Sequence, residues 1–292
     1  MSQKIAVALI HGVGNQGPEF ADIMTSELYE AFADLLPAGD KSVHDKLTIR
    51  PVYWADILAR KQRVLWNILR HEDGLGLNTL RNFMMNFVGD ATAYQPGRNR
   101  REIYERIHTR LATVLHELAD EAGPEAPLCI IAHSLGTVIA HNFFFDVGEI
   151  LCETPEQISS LSLCETGRTL ALFYTMGSPL ALWSMRYDNY IPIPFPGSAL
   201  AELYPALKPQ WINYYDKDDV IAYPIRAISR GHFELSKQGL LKDVQVNVGN
   251  LFRSWNPLSH MEYWQDKDVV EPVAKSLFDA WQAANLSTDS KS

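Results

Sequence analysis

Pro127-Leu128-Cys129-Ile130-Ile131 runs straight into Ala132-His133-Ser134-Leu135-Gly136, and helix-forming sequence follows. An unbroken apolar run of this length reads as a strand buried on both faces, the habit of parallel sheets. Small residues two places before and two places after Ser134 describe a turn too tight for side-chain bulk. Such a turn lifts one serine above the end of the strand in a strained backbone conformation, a nucleophile elbow. The first small position holds Ala132 rather than glycine.

Working outward, Ile5-Ala-Val-Ala-Leu-Ile10 reads as a second buried strand, ending in the glycine-rich loop His11-Gly12-Val13-Gly14-Asn15-Gln16-Gly17-Pro18. A helix is expected from about Phe20 to Leu36, stopped by Pro37 and Gly39, and a strand over Leu47 to Trp54. From Asp56 to about Arg101 two helical stripes, Ile57 to Leu69 and Leu77 to Val88, interrupt the strand-helix alternation as a helical cap insertion. Ile103 to Leu118 then gives a long helix leading to the elbow strand. Later strands are expected at Leu170–Met176, Trp211–Tyr215 and Val244–Val248, and a closing helix from about Val269 to Ala284, followed by a disordered polar tail over 286–292. Tyr190-Ile-Pro-Ile-Pro-Phe-Pro-Gly197 is too rich in proline for a central strand. The sum is one α/β domain over 1–292: a mostly parallel sheet with helices on both faces.

With 292 residues, 47% of them hydrophobic, the chain can bury a large core. A net charge of −9 and a pI near 5.5 argue against nucleic acid as a partner. Three cysteines without close spacing indicate neither a disulfide framework nor a zinc knuckle. The apolar run Ile5–Ile10 is too short for a signal peptide or a membrane span, so the expected setting is cytoplasmic.

A serine nucleophile needs a base, an acid to orient that base, and amide donors for an oxyanion. The loop after the first strand can aim the Val13 amide at the site, and Leu135, next to the serine, supplies the second donor. A dinucleotide loop is the alternative, but Pro18 follows the last glycine and no acidic residue closes the next strand. Trp211-Ile-Asn-Tyr-Tyr215 runs into Asp216-Lys-Asp-Asp219, where Asp219 is favoured as the acid and Asp218 comes second. Two histidines lie beyond that loop. His232 precedes the last strand and is expected on the surface, whereas His260 follows it. The order Ser134, Asp219, His260 is that of an α/β-hydrolase triad. His11 and His133 are expected to shape the oxyanion loop and the elbow.

With these pieces in place the chain resembles the α/β-hydrolase superfamily, and within it the intracellular lipase-like serine esterases. Asn213-Tyr-Tyr-Asp-Lys-Asp-Asp219-Val-Ile-Ala-Tyr223 is similar to the acid loop of DDHD-type phospholipases, and that likeness points to Asp219. Ser259-His260-Met-Glu-Tyr263-Trp264 resembles their His-x-x-Tyr-Trp, Gly89-Asp90-Ala-Thr-Ala-Tyr94 a segment ahead of the elbow strand, and Gly177-Ser178-Pro179 a turn common in lipases. Val220 stands where proline is usual, and the sheet starts at the third strand of the full fold. The resemblance implies an α/β-hydrolase fold and a serine esterase acting on a small-molecule or lipid ester, with no cofactor and no metal.

Between Asp56 and Arg110 the charge is +4 against −13 for the rest of the chain, densest at Arg98, Arg100, Arg101, Arg106 and Arg110. This allows peripheral contact with an anionic membrane surface, or simply solvated helix faces. Phe143, Phe144, Phe145, Trp183 and Phe195 are candidates for an acyl site, most of them expected to be core. The rivals are a non-enzymatic interaction protein on the same fold, a thioesterase, amidase or acyltransferase with the same triad, and a metal-dependent hydrolase using Asp216–Asp219. The sequence leaves oligomeric state open.

Overall fold

A computed structural model of the chain describes residues 2–13, 17–40, 42–71, 79–95, 101–248 and 259–286. Strands β1 (Ile5–Ile10), β2 (Leu47–Val52), β3 (Leu128–His133), β4 (Leu170–Met176), β5 (Gln210–Asp216) and β6 (Leu241–Val246) form one sheet. Their order is β2-β1-β3-β4-β5-β6 and every neighbouring pair is parallel. This is a doubly wound parallel α/β sheet, consistent with an α/β-hydrolase fold, in which β1 carries the first glycine-rich loop.

Residues of β1 alternate between two cores. Ala6, Ala8 and Ile10, with Ile130 and Ala132 of β3, pack against α4 (Arg101–Ala122) and α5 (Leu135–Glu153). Ile5, Val7 and Leu9, with Cys129 and Ile131, pack against α1 (Asp22–Asp34) and α9 (Lys267–Leu286) on the other face. Both faces of the central strands are therefore apolar, which is why they read as unbroken runs. Pro51 sits in β2, an edge strand, where a missing ladder donor is tolerated.

Register levels the carboxyl ends of the strands. Ile10 pairs with both Val52 and Ala132, His133 with Met176, and Asp216 with Val246. From β1 the chain turns to β2 on one side and later returns to β3 on the other. The crevice at that switch point is where such sheets bind ligands.

Three boundaries differ from the sequence reading, two of them where a backbone amide donates to a side chain instead of the ladder. Pro18–Ala21 forms a 3-10 turn before α1, favoured by the proline at its start. β2 stops at Val52, since the Trp54 amide donates to the His11 ring. β6 lies over Leu241–Val246, and the Val248 amide donates instead to Asp216 Oδ2, 2.8 Å away.

The expected insertion holds α2 (Asp56–His71) and α3 (Thr79–Ala93), which pack on one another, with α2 also against α4. Shorter helices α6 (Leu180–Ser184), α7 (Leu200–Leu203) and α8 (Arg230–Lys237) follow β4 and β5. The expected polar tail beyond Leu286 lies outside the described residues. Among those described, one helix, α5, is long and apolar enough to cross a membrane, and most of it is buried as the central core helix.

Candidate active site

Ser134 caps α5 with φ 53° and ψ −129°, and it is the one non-glycine residue with positive φ among the described residues. A side chain costs energy there, so neighbours must hold it. Its N–H donates to Met176 O at 2.9 Å, and its carbonyl accepts from Thr137 Oγ1 at 2.7 Å. Thr137 Oγ1 also bonds Ser178 Oγ at 2.8 Å, tying the elbow to the Gly177-Ser178-Pro179 turn. The need for a small residue after the serine comes from β1. A Cβ on Gly136 would stand 2.5 Å from His11 O and 2.7 Å from Ile10 O. Ala132 lies within the sheet, wholly buried and paired with Ile10, where a methyl fits the core.

Gly12 passes directly over the serine. A Cβ there would lie 2.4 Å from Ser134 Cβ and 3.0 Å from its Oγ, so the loop requires glycine. His11 clamps that loop to the end of β2. Its Nδ1–H donates to Gly12 O at 2.7 Å, its Nε2 accepts from the Trp54 amide at 3.0 Å, and Trp54 Nε1 donates to His11 O at 3.0 Å. The two rings stack at 4.7 Å, only 6° from parallel. Burial pulls the His11 pKa down to about 4, against the Gly12 hydrogen bond and the Asp56 charge, so the ring is neutral and Nε2 can accept. A trans peptide points its C=O and N–H in opposite directions. Tying the Gly12 carbonyl to His11 therefore turns the Val13 N–H away from that ring. The Leu135 N–H opens α5, among the first-turn amides that a helix leaves without a carbonyl of its own. Gly14, the next glycine of the loop, lies outside the described residues.

His260, on the 3-10 turn Ser259–Gln265, donates through Nδ1 to Asp219 Oδ2 at 2.7 Å. Both side chains are about 1% exposed. The Ile221 amide donates to Asp219 Oδ1 at 3.0 Å and Tyr263 OH to Oδ2 at 3.1 Å. Burial alone raises the Asp219 pKa. The hydrogen bond and charge of His260, with the Ile221 amide, outweigh it and leave the carboxyl below its ordinary value. Asp218 is exposed, and its N–H donates to Asp216 Oδ1 at 2.8 Å. Of the two candidates it is thus Asp219 that meets the histidine.

Asp216 braces the loop. It accepts the Asp218 amide on one oxygen and the Val248 amide on the other, while its own N–H donates to Tyr263 OH at 2.8 Å. Tyr263 thereby joins the acid loop to the histidine turn. Burial and the neighbouring Asp219 carboxylate push its phenol far above the usual range, which keeps it a donor. Its role escaped sequence reasoning; only its place in the His-x-x-Tyr-Trp stretch hinted at it. Among the described residues no group of three or more His, Cys, Asp or Glu is arranged to hold a metal.

Gly177, at φ 56°, follows Met176, whose carbonyl holds the Ser134 amide. A Cβ on Gly177 would lie 3.0 Å from His260 Cε1 and 3.1 Å from a Tyr263 ring carbon. One segment thus braces the serine on one side and the histidine ring on the other. His133 Nε2–H donates to His260 O at 2.6 Å, the rings lying 4.7 Å apart. Burial, then the His260 charge, lowers the His133 pKa to about 3, so this ring is a neutral prop. Ser134 Oγ makes no hydrogen bond among the described residues. Catalytic contacts of this kind commonly tighten only when substrate is bound.

His232 is wholly buried, not on the surface. Ser229 caps α8 and bonds His232 Nδ1 at 2.8 Å, turning the ring inward onto Tyr190. Two arginines of the basic cluster pair with carboxylates on the helices. Arg110 pairs with Asp56 at 3.1 Å and Arg106 with Glu102 at 3.7 Å. Arg98 and Arg100 lie outside the described residues. Phe143, Phe144, Trp183 and Phe195 are core.

No protein-family model matches the chain, and no curated protein matches it. Among solved structures it is similar to one from a structural analysis of two fungal esterases from Rhizomucor miehei. That alignment has a TM-score of 0.43 and 11% identity over 96% of this chain and 76% of the other.

Proposed function

We propose that the protein is a serine hydrolase cleaving carboxylic esters. The observation that carries this is the buried His260–Asp219 hydrogen bond of 2.7 Å, held against the same Met176–Gly177 segment that grips the strained Ser134. In this reading Ser134 Oγ attacks the ester carbonyl carbon while His260 Nε2 takes its proton. Asp219 keeps Nδ1 protonated and stabilises the imidazolium. The N–H groups of Val13 and Leu135 bind the oxyanion. Collapse of the tetrahedral intermediate breaks the ester C–O bond, and His260 returns the proton to the departing alcohol. Water, activated by the same histidine, then releases the acid. A fluorophosphonate probe labels the wild type and not Ser134→Ala, and ester hydrolysis falls by about 10⁴-fold or more in the variant. Equal labelling of the two would overturn the proposal.

The finer proposal is a lipid ester. Its support is the phospholipase-like acid loop together with the outer face of α2. That face exposes Val64, Leu65 and Ile68 by 54%, 46% and 43%, beside exposed Arg60, Lys61 and Arg63. Apolar and basic groups so placed suit an anionic bilayer surface. Anionic vesicles should accelerate the wild type several-fold on long acyl chains. Leu65→Gln with Ile68→Gln should lose that gain yet hydrolyse short soluble esters normally; an unchanged vesicle response would exclude α2 as the contact.

A further inference from the structure

A cavity of about 220 Å³ opens along α5, away from the elbow, with walls formed by Tyr104, His141, Phe145, Asp146, Tyr187 and Tyr190 among others. His141 is seven residues beyond Ser134, or about 10 Å along the helix at 1.5 Å per residue. None of Ser134, Asp219, His260, Val13 and Leu135 lines the cavity.

We propose that this cavity is a second binding site, one that takes a small organic ammonium cation between its aromatic rings and the Asp146 carboxylate.

Three observations select that class. The first is aromatic: four Tyr or Phe rings line the space, Tyr187 and Tyr190 standing 5.7 Å apart and Tyr190 stacking on His141 at 4.9 Å. Ring faces attract ammonium groups and are indifferent or repulsive to anions. The second is charge. Asp146 is the one charged residue on the wall among the described residues, and no Lys or Arg lines it. Its carboxylate is aimed by the Tyr104 hydroxyl at 2.8 Å and lies 3.7 Å from His108 Nδ1. Arg186 stacks over Trp183 at 4.8 Å and over Tyr187 at 5.9 Å, and does not line the cavity.

The third observation is unmet hydrogen bonding. Tyr190 and His141 are 7% and 2% exposed, yet among the described residues neither the Tyr190 hydroxyl nor either His141 nitrogen makes a hydrogen bond of proper geometry. Leaving such groups buried and unsatisfied is costly. Burial, then the His232 charge, lowers the His141 pKa to about 3, against weak support from Asn142 and the Ile191 backbone. The ring is therefore neutral: it adds no repulsion, and it offers an imine nitrogen to an N–H donor. A purely apolar ligand would leave these atoms unmet, and an anion would face Asp146.

The test is calorimetric titration of the full chain, wild type and Ser134→Ala, so that binding is read apart from hydrolysis. The probes are choline, ethanolamine and 3,3-dimethylbutanol, the last being the uncharged isostere of choline. At least one cation should bind about tenfold or more tightly than the isostere. Asp146→Asn should erase that difference. Tyr187→Ala, at a ring already 41% exposed and so safe for folding, should weaken the cations several-fold and the isostere less. Equal binding of cation and isostere, or no cation binding, overturns the proposal. Phosphatidylcholine and phosphatidylethanolamine vesicles, run in competition with the free cation, separate the sources. Competition identifies a lipid headgroup, and its absence beside tight free binding identifies a soluble ammonium compound.

Discussion

Among the described residues, buried histidines fall in two places, and they have opposite fates. Beside the elbow, His260 faces Asp219 at 2.7 Å, with His133 propping its backbone. Farther along the same core, His141 and His232 stack on Tyr190 at 4.9 and 5.5 Å, and among the described residues no carboxylate bonds to either ring. Burial pulls the pKa of both down, to about 3 for His141 and about 4 for His232. Depth and aromatic surroundings are common to the two regions; the carboxylate is not. A buried imidazole can serve as a base when an anion stands ready to stabilise its cation. Without one it is a neutral wall.

The largest test of that difference is Asp219→Asn, which keeps the shape and removes the charge. The turnover number should fall by about 10⁴-fold, as expected when a triad acid no longer holds its histidine in the working tautomer. Asp218→Asn, at the exposed neighbour, should stay within about twofold. Similar losses in both variants would break the assignment of the acid.

A smaller effect is expected from Tyr263→Phe, which deletes the donor to Asp219 and the acceptor for the Asp216 amide. Tyr263 is a positioning residue, so the turnover number should drop about tenfold with KM little changed, and the pH–rate profile should move. An unaltered profile would assign the tyrosine to stability alone.

The smallest effect concerns acid sensitivity in the second cluster. His141 titrates near 3 in the folded chain and near 6.5 when unfolded. Between those values the unfolded chain binds the extra proton, so stability falls as pH falls from 6.5 towards 3. His141→Phe removes one such proton. It should flatten the loss by up to about 1.4 kcal/mol per pH unit. Denaturant unfolding at pH 7, 6 and 5 measures the slope, and equal slopes in variant and wild type would count against a neutral His141.

Much of the site was legible because its signals are local. Ser134 announces itself through an apolar run before it and glycine two places after it. Gly12 follows at once from a strand ending, and Gly177 from a turn. The order Ser134, Asp219, His260 fitted a known pattern of connection. What stayed illegible depends on contacts far apart in the chain. Asp216-Lys-Asp-Asp219 favours Asp219 without excluding Asp218; what separates them is a ring 41 residues away, which meets Asp219. For Tyr263 the one local signal is its place in the His-x-x-Tyr-Trp stretch, and its bond to Asp219 crosses 44 residues. His232 looked like a surface histidine beside Arg230 and Gly231, because its burial comes from Ser229 capping α8 and from Tyr190 of another segment.

The sequence alone determined the parallel sheet, the elbow, the glycine loop and the candidate nucleophile, acid and base. Period, turn chemistry and the absence of a Cβ act over a few residues and leave their mark in the local order. Tertiary structure alone decided which acid faces His260, which histidines stay neutral, and where a cavity lined by aromatic rings opens. Those outcomes are set by burial and by hydrogen bonds between residues up to 127 positions apart, and they come into being only when the strands fall into register.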